Sequence, residues 1–249
     1  MRKRFILKMH DYIHHPKGKL EYNEKVFKEI APKYDFITFV LSLGRDSKWK
    51  DHLVEKLPDI RQPYCLDLAC GTGDITFRLA EKYPEGCIVG LDLTDAMVAV
   101  ARSRNCYDNV RFTIKDMSQT DFADNSFDIV TGGYALRNAP DIEVALEEIW
   151  RVMKVGSTAA FLDFSRPCNK YFQKIEYWLL KVWGGFWGWL LHRNVEVYTY
   201  IAESTKLFAD SKQLKQLMTD KGFSNIKSKK YYWGIMESIS FEKTRNRRI

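Results

Sequence analysis

Apolar positions along the chain follow a helical period first and a strand-and-helix alternation later. Between residues 22 and 57 they recur every three or four positions, which predicts a helical cover. From residue 64 onward, short apolar runs alternate with amphipathic segments. The predicted strands are 64–68, 88–93, 110–114, 127–130 and 159–164, and the predicted helices are 75–82, 96–104 and 142–153. This alternation predicts an α/β fold, because parallel strands need long crossovers and are buried on both faces by helices.

The end of the chain predicts a different arrangement. A helix is expected near 212–221, with Gly222 as its stop, and two strand-like runs follow at 226–232 and 235–241. Only Trp233 and Gly234 separate these runs, so they predict a closing hairpin.

Composition and charge narrow the class of protein. The 249 residues are 45% hydrophobic and carry a formal charge of +7, which excludes a disordered chain and allows one large domain with an inserted cap. Residues 1–19 and 227–249 each carry a net charge of +5, so the body between them is slightly acidic. Basic ends are typical of solvated tails or of anchors for anionic lipid. A nucleic-acid partner is not predicted, because a groove of basic residues is missing from this pattern.

The cysteines give no sign of disulfides or metal. Five are present, and none forms a metal-type cluster with the five histidines, so we expect reduced, buried thiols and no metal site. The basic start is not followed by a long apolar stretch and a cleavage site, so no secretory signal is predicted. The expected location is cytoplasmic.

The strongest local motif is the glycine loop at 66–74 (LDLACGTGD), a strand that ends in a Gly-x-Gly turn and opens into a helix. Without side chains there, a ligand can touch the backbone and the free amides of the helix N-terminus. Thr76 stands where the dinucleotide fingerprint has its third glycine, which disfavours a nicotinamide oxidoreductase.

Carboxylates accompany this loop and the ends of the next two strands. Asp67 and Asp74 flank the loop, where they would repel a pyrophosphate and hold a ligand with an amino group, although Asp74 taken singly is more typical of a solvated loop or cap. Asp92 ends the second strand and could accept both ribose hydroxyls. After the third strand, Asp116 could accept from an adenine amine and Met117 could cover its ring.

This constellation resembles the class I S-adenosylmethionine-dependent methyltransferases. Four further segments are similar to the ubiquinone and menaquinone C-methyltransferase family: 27–35 (FKEIAPKYD), 134–138 (YALRN), 161–167 (FLDFSRP) and 200–204 (YIAES). The resemblance covers nearly the whole chain after residue 24. The chain departs from the family at Gly133, where many members have serine, at Val155 and Ser157, and at 207–209.

The resemblance implies a Rossmann-like fold with a seven-stranded, mostly parallel sheet, a C-terminal antiparallel hairpin and a helical cap. It divides the chain into a basic arm and helical cover, 1–57, and a methyltransferase domain, 58–249, with an aromatic cap insertion at about 170–205. The implied cofactor is S-adenosylmethionine. The residues implied to bind it or shape its cradle are Asp67, Gly71, Thr72, Gly73, Asp92, Leu93, Asp116, Met117 and Gly133.

The implied reaction places a methyl group on a carbon of a prenylated quinol ring. The neighbouring hydroxyl should be deprotonated, and a phenol with a pKa of ~10 then needs a base or a positive neighbour. Arg137 is the candidate for this role, since its charge would stabilise a phenolate. Asn138, Asp163 and Tyr200 are candidate polar orienters. Alternatively, Arg137 is only an ion-pair partner of Asp163 or Glu203.

The aromatic segment between Tyr171 and Tyr200 holds four of the seven tryptophans. Its apolar run, 178–191, is interrupted by Lys181 and is shorter than the ~20 residues of a membrane-spanning helix. Either it is a cap packed on the core, or it is a lid or interfacial patch that receives a polyprenyl tail. Peripheral contact with the inner face of a membrane stays open on this basis.

Several hypotheses about function remain open. The acceptor is a benzoquinol or a naphthoquinol in the leading hypothesis, and another lipid or small molecule in the alternative, because this superfamily uses one cofactor domain under varied caps. A noncatalytic lipid-surface assembly protein that retains the fold is the second alternative. A homodimer is compatible with all of these hypotheses.

Overall fold

The computed structural model of the chain describes residues 8–244. Of the two basic ends, 1–19 and 227–249, residues 1–7 and 245–249 lie outside the described residues. The expectation of solvated tails is wrong for much of the rest, because residues 16–19 lie in a helix and residues 227–231 and 236–243 lie in strands. Three helices come first: α1 (Pro16–Ile30), α2 (Tyr34–Leu41) and α3 (Asp46–Glu55). The predicted helical cover is therefore confirmed in type, and it begins earlier than expected because Pro16 occupies the first turn of α1, where its missing N–H costs nothing.

Strands and helices then alternate as predicted. The order is β1 (Tyr64–Leu68), α4 (Asp74–Lys82), β2 (Cys87–Asp92), α5 (Asp95–Arg104), β3 (Val110–Ile114), β4 (Phe127–Gly133), α6 (Ile142–Val152) and β5 (Met153–Phe164). The fifth strand is longer than predicted, since it starts directly where α6 ends.

The remaining elements build the cap and close the sheet. They are α7 (Lys170–His192), α8 (Glu196–Leu207), α9 (Ser211–Asp220), β6 (Ser224–Tyr231) and β7 (Met236–Lys243). The predicted hairpin is confirmed: β6 and β7 are antiparallel, and Trp233 and Gly234 in the turn between them have left-handed backbone angles.

The seven strands form one sheet in the order β3-β2-β1-β4-β5-β7-β6, with β1 to β5 parallel and β7 antiparallel to both neighbours. The order reverses between β1 and β4, and in open α/β sheets ligands bind beyond the strand ends at such a switch point. Helices cover both faces. Buried apolar residues of α1 and α2 form one cluster with α8, so the front of the chain and the cap meet above this switch point.

The expectation of five buried thiols is wrong for three of them. Cys65 and Cys70 are buried in β1 and the glycine loop, whereas Cys87, Cys106 and Cys168 are exposed. The three exposed cysteines lie at the start of β2 or in loops, where the sheet does not cover them.

Candidate active site

The glycine loop turns sharply between β1 and α4. Ala69, Gly71 and Gly73 have φ values of 50°, 55° and 90°, in the left-handed region that side chains disfavour. At Gly73 a Cβ would lie 2.8 Å from the Phe77 ring, so a side chain there would have to displace this ring as well as adopt a disfavoured φ. Ala69 adopts the same region with a side chain, which is a local strain of the kind found at functional sites.

A small cavity of about 70 Å³ lies beyond the carboxyl ends of the central strands. Six residues implied by the family resemblance line it together: Gly71, Asp92, Leu93, Asp116, Met117 and Gly133. The structure thus brings residues that follow β1, β2, β3 and β4 to one place, as the topology of a parallel sheet requires.

Asp92 is fixed by the backbone at the floor of this cavity. One carboxylate oxygen accepts from the Gly71 amide at 2.9 Å and the other from the Thr94 amide at 2.8 Å. Burial raises the pKa of this carboxyl. Each carboxylate oxygen can accept a second hydrogen bond, so Asp92 is oriented to receive two neighbouring hydroxyls.

The Asp116–Met117 pair lies in the turn after β3. Asp116 Oδ1 accepts from the Ser118 amide at 2.8 Å, and the Met117 side chain is buried against the core. An acceptor next to an apolar thioether suits an aminopurine, whose amine donates and whose ring is flat and polarisable.

Three of the implied cofactor residues do not line the cavity. Asp67 is completely buried and accepts from the hydroxyls of Thr76 at 2.7 Å and Thr131 at 2.9 Å, while burial raises its pKa to about 6. The Thr72 hydroxyl donates to Asp35 at 2.6 Å. With Gly73, these residues shape the loop, and the structure does not bring their side chains to the ligand space.

Asp74, for which the sequence favoured a loop or cap role over contact with an amino group, is paired with cations of the protein. Lys50 Nζ lies 2.8 Å from Asp74 Oδ2, and Arg78 bonds the other oxygen. The two cations neutralise this carboxylate and lower its pKa against the effect of burial. The sequence did not show this, because Lys50 comes from α3, far from the loop along the chain.

Residues of the N-terminal helices complete the cavity, and the sequence reasoning missed them. Asn23, Phe27 and Tyr34 line it from α1 and α2. The Asn23 amide nitrogen donates to the Asn138 carbonyl at 2.8 Å, whereas its Oδ1 is buried with no hydrogen-bond partner among the described residues. The sequence did contain a hint of this role, because Asn23 is a polar residue on the buried side of α1, next to Val26 and Ile30.

A second cavity of about 550 Å³ lies next to the first, between the front helices and the cap. Its lining is almost entirely apolar and comes from α1, α2, α7, α8 and the turn before β7. Arg137, Asn138 and Tyr200 are among its few polar groups. Four residues line both cavities: Phe27, Tyr34, Tyr134 and Asn138. The two ligand spaces therefore meet at these side chains.

Arg137 is buried and held by Asp163. Its Nε lies 3.4 Å from Asp163 Oδ1, its backbone amide donates to Asp163 Oδ2 at 2.9 Å, and its Nη1 donates to Ser204. Burial raises the pKa of the Asp163 carboxyl, which itself does not line the large cavity. The alternative in which Arg137 pairs with Asp163 is thus realised, whereas Glu203 pairs with Lys181 at 3.1 Å. An ion pair does not exclude a role toward a ligand, because Arg137 also lines the cavity.

Tyr200 and Asn138 form a short polar chain beside Arg137. The Tyr200 hydroxyl donates to Asn138 Oδ1 at 3.2 Å, and the Asn138 amide donates to the Tyr134 carbonyl at 2.7 Å. Burial raises the pKa of Tyr200 to about 12, so its hydroxyl keeps its proton at neutral pH.

Lys19 fastens α1 to the same segment. Its ammonium donates to the carbonyl oxygens of Arg137 at 2.8 Å and Ala139 at 2.6 Å. Burial and then the charge of Arg137 lower the pKa of Lys19 to about 8. Together with the Asn23 bond, Lys19 holds three consecutive carbonyls, so α1 is tied to residues 137–139 across both cavities.

The residues around the small cavity fit S-adenosylmethionine. The buried, unsatisfied Asn23 Oδ1 can accept from its ammonium group, Asp92 from its ribose hydroxyls, and Asp116 from its adenine amine. The described residues contain no group of three or more His, Cys, Asp or Glu that could hold a metal ion.

Comparisons with known proteins agree with this geometry. Residues 16–241 match the model of the ubiE/COQ5 methyltransferase family. A demethylmenaquinone methyltransferase of Roseiflexus sp. (strain RS-1) is 33% identical over 85% of this chain and 89% of its own length. One of Geobacillus kaustophilus is 32% identical over 88% of this chain and 95% of its own.

Solved structures share the fold. A S-adenosylmethionine-dependent methyltransferase of Thermotoga maritima superposes with a TM-score of 0.63 at 20% identity and covers 88% of this chain and 99% of its own. A phosphoethanolamine N-methyltransferase of Haemonchus contortus, solved with S-adenosylmethionine, gives a TM-score of 0.59 at 13% identity over 80% of this chain and 53% of its own. The chain belongs to the ubiE/COQ5 methyltransferase family and is a methyltransferase that uses S-adenosylmethionine.

Proposed function

We propose that the chain methylates a ring carbon of demethylmenaquinol, the reduced naphthoquinol that carries a polyprenyl tail. The observation that carries this proposal is the large apolar cavity joined to the cofactor cavity through Phe27, Tyr34, Tyr134 and Asn138. A cavity of about 550 Å³ lies within the usual range for small-molecule sites, and its apolar lining suits a fused ring with the first part of a prenyl chain. The names of the relatives support a naphthoquinol over a benzoquinol.

In this proposal the small cavity binds the cofactor through side chains of four different segments. Asp92 accepts from the ribose, Asp116 and Met117 hold the adenine, and Asn23 accepts from the ammonium group. When bound, S-adenosylmethionine supplies an electrophilic methyl group on a sulfonium sulfur. The helix α1 lies over this space and shields it from water, since Lys19 ties α1 to the 137–139 segment.

Arg137 has the electrostatic role in this proposal. A naphthoquinol attacks through ring carbon most readily when the adjacent hydroxyl has lost its proton, and a guanidinium in an apolar cavity stabilises the resulting anion. Asp163 positions the guanidinium through its ion pair at Nε and through the hydrogen bond that it accepts from the Arg137 backbone amide. Tyr200 and Asn138 present a hydroxyl and an amide to the second oxygen of the ring. Arg137 stays protonated throughout, so the hydroxyl proton leaves to water or to a group at the cavity mouth. The hydrogen of the methylated ring carbon then leaves as a proton, which restores the aromatic ring, and the ring oxygen regains a proton, so one proton is released for each methyl group transferred.

A cellular complementation experiment tests the proposal. A bacterial strain that lacks its own demethylmenaquinone methyltransferase should regain menaquinone when it expresses this chain, as measured by lipid extraction and mass spectrometry. An Asp92→Ala variant expressed at the same level is the control and should not restore menaquinone. Continued accumulation of demethylmenaquinone with the unaltered chain would contradict the proposal. If the chain instead restored only ubiquinone, in a strain that lacks the ubiquinone methyltransferase, the acceptor would be a benzoquinol and not a naphthoquinol.

A further inference from the structure

Helix α7 exposes large apolar side chains and buries small or polar ones, which is the reverse of an ordinary surface helix. Its buried residues are Glu176, Gly184, Gly185 and Gly188. Its large apolar side chains are exposed, among them Phe172, Ile175, Trp178, Val182, Phe186 and Trp189. An ordinary surface helix turns its apolar stripe toward the core. An exposed apolar stripe of this size instead marks a surface that contacts a lipid or a protein partner.

The glycines explain why the helix is arranged in this way. A Cβ at Gly184 would lie 2.6 Å from the Tyr198 carbonyl oxygen, and one at Gly188 would lie 2.6 Å from the Asn194 carbonyl oxygen. The backbone of α8 and the turn before it thus press directly against the glycine face of α7. Most of the large residues of α7 therefore lie on the outward face, whereas Trp187 and Leu191 are partly buried against the front helices.

The exposed stripe continues onto neighbouring elements. The ring of Phe36 in α2 lies 6.3 Å from that of Trp187, and Phe39 in the same helix is exposed. We call the exposed apolar side chains of α2 and α7, with Trp233, the apolar face. Trp233 is 96% exposed.

The apolar face surrounds the mouth of the large cavity. Leu43, Leu179, Trp183 and Trp233 line the cavity and are also exposed. The cavity therefore opens onto the apolar face itself, so a ligand could pass between them without crossing a polar surface.

The exposed charged side chains of α7 are all positive, and the exposed carboxylate of α2, Asp35, is paired with Arg104. On α7 the exposed charged residues are Lys170 and Lys174, Lys181 is partly exposed, and the one carboxylate, Glu176, is buried. Lys206 of α8 is exposed and lies over the Tyr177 ring at 5.4 Å. Tryptophans flanked by lysines are typical of surfaces at the boundary between lipid and water, where anionic headgroups attract the lysines.

We infer that the apolar face docks into the headgroup region of a bilayer that contains anionic lipid, and that the acceptor's prenyl tail enters the large cavity directly from that bilayer. The second half of this inference rests on the proposed function, whereas the docking does not. None of the described helices combines the length and apolar character needed to cross a membrane. A second copy of the chain fits less well, because it would cover the cavity mouth and bring the two sets of lysines together.

Vesicle flotation tests the docking. The full chain should float with phosphatidylcholine vesicles that contain phosphatidylglycerol, and less with phosphatidylcholine alone. The double variant Val182→Glu/Trp189→Glu should lose about tenfold or more of this partitioning, because it places carboxylates where apolar side chains meet lipid. Both residues are more than half exposed and neither lines the cavity, so the fold should persist, as thermal melting would verify. The control Val144→Glu, on the exposed side of α6, should float like the unaltered chain.

Activity assays separate this inference from the proposed function. The double variant should methylate a tail-free, water-soluble demethylnaphthoquinol as well as the unaltered chain does, and lose turnover only with a long-tailed acceptor held in vesicles. Equal flotation of variant and unaltered chain would overturn the docking, as would a dimer in analytical ultracentrifugation that the variant dissociates while flotation stays unchanged. Flotation without methylation of any quinol would instead contradict the proposed function.

Discussion

Arg137 and Asp163 form a buried ion pair at the edge of the large cavity. Their roles can be tested separately, because Arg137 is proposed to stabilise the quinol anion and Asp163 to position Arg137. Removing Arg137 alone would leave an uncompensated buried carboxylate, which costs about 3–5 kcal/mol and would obscure the kinetics. The double variant Arg137→Met/Asp163→Asn avoids this problem. We expect it to fold, to bind S-adenosylmethionine within about threefold in calorimetry, and to lose turnover by roughly 100-fold or more.

The matched control for this prediction is Asp163→Asn alone, which keeps the guanidinium. It leaves the buried guanidinium without its carboxylate, so we expect it to lower the unfolding free energy by about 3–5 kcal/mol, and its turnover is measured at a temperature where thermal melting shows it folded. Under these conditions we expect it to lose less than about tenfold in turnover, because Ser204 still holds Arg137. Equal turnover in the control and the double variant would reduce Arg137 to a structural ion-pair partner.

Asp67 makes the stability of the protein depend on pH in a direction that can be tested. Its folded pKa of about 6 lies above the usual value of 3.8, because it is buried with only two hydroxyl donors. The folded state therefore binds more protons than the unfolded state between these values, and this stabilisation is present below pH 4 and lost as the pH rises through 6. Relative to Asp67→Asn, the unaltered chain should lose up to about 3 kcal/mol of unfolding free energy over this range in urea titrations. A constant difference between the two proteins from pH 4.5 to 7.5 would contradict this assignment.

Helix α1 covers both cavities, and besides its apolar packing the Lys19 ammonium and the Asn23 amide fasten it to residues 137–139. Lys19→Met should loosen it, since a hydrogen bond from a charged donor contributes about 1.5–3 kcal/mol. We expect the Kd of S-adenosylmethionine to rise about tenfold or more, with faster hydrogen exchange in α1 and little change in the exchange of the central strands. Lys17→Met, an exposed lysine two residues earlier in α1, is the control and should leave both measurements unchanged. Identical Kd values for the two variants would show that α1 is not held through Lys19.

The packing of α7 on α8 depends on which glycine is replaced. Gly184→Ala places a Cβ 2.6 Å from a backbone oxygen, so it should lower the unfolding free energy by about 1–3 kcal/mol. Gly185→Ala meets only side-chain atoms at 3.1 and 3.4 Å and gains helix propensity of about 1 kcal/mol, so it should be nearly neutral. Denaturant midpoints that rank the two variants the other way would contradict the close contact of α7 and α8.

Much of the molecule follows from local patterns. The order of strands and helices was predictable because apolar period and glycine or proline stops depend on neighbours in sequence, and Asp92, Asp116 and Met117 were predictable because they follow successive parallel strands. The partners of Asp67 and Asp74 could not be predicted in this way, because Thr131 reaches Asp67 and Lys50 reaches Asp74 only in the folded chain.

The same limit applies to the cover over the site. The sequence indicated helices at the front of the chain, but it did not indicate that Asn23 and Tyr34 would line the small cavity. It also did not indicate that most tryptophans of α7 would be exposed. These features depend on how α1, α7 and α8 pack above the sheet. The predicted boundary between a cover at 1–57 and a domain at 58–249 stays a prediction, as does a homodimer.

At the scale of the whole molecule, the two cavities that meet at four shared side chains support the proposed methyl transfer from S-adenosylmethionine to a prenylated naphthoquinol ring. The most direct test is isotopic methyl transfer from labelled S-adenosylmethionine to a panel of reduced, prenylated naphthoquinols and benzoquinols that lack the ring methyl, with mass spectrometry to locate the label. We predict label on the ring of the naphthoquinol. Cofactor binding without label in any quinol would contradict the proposal.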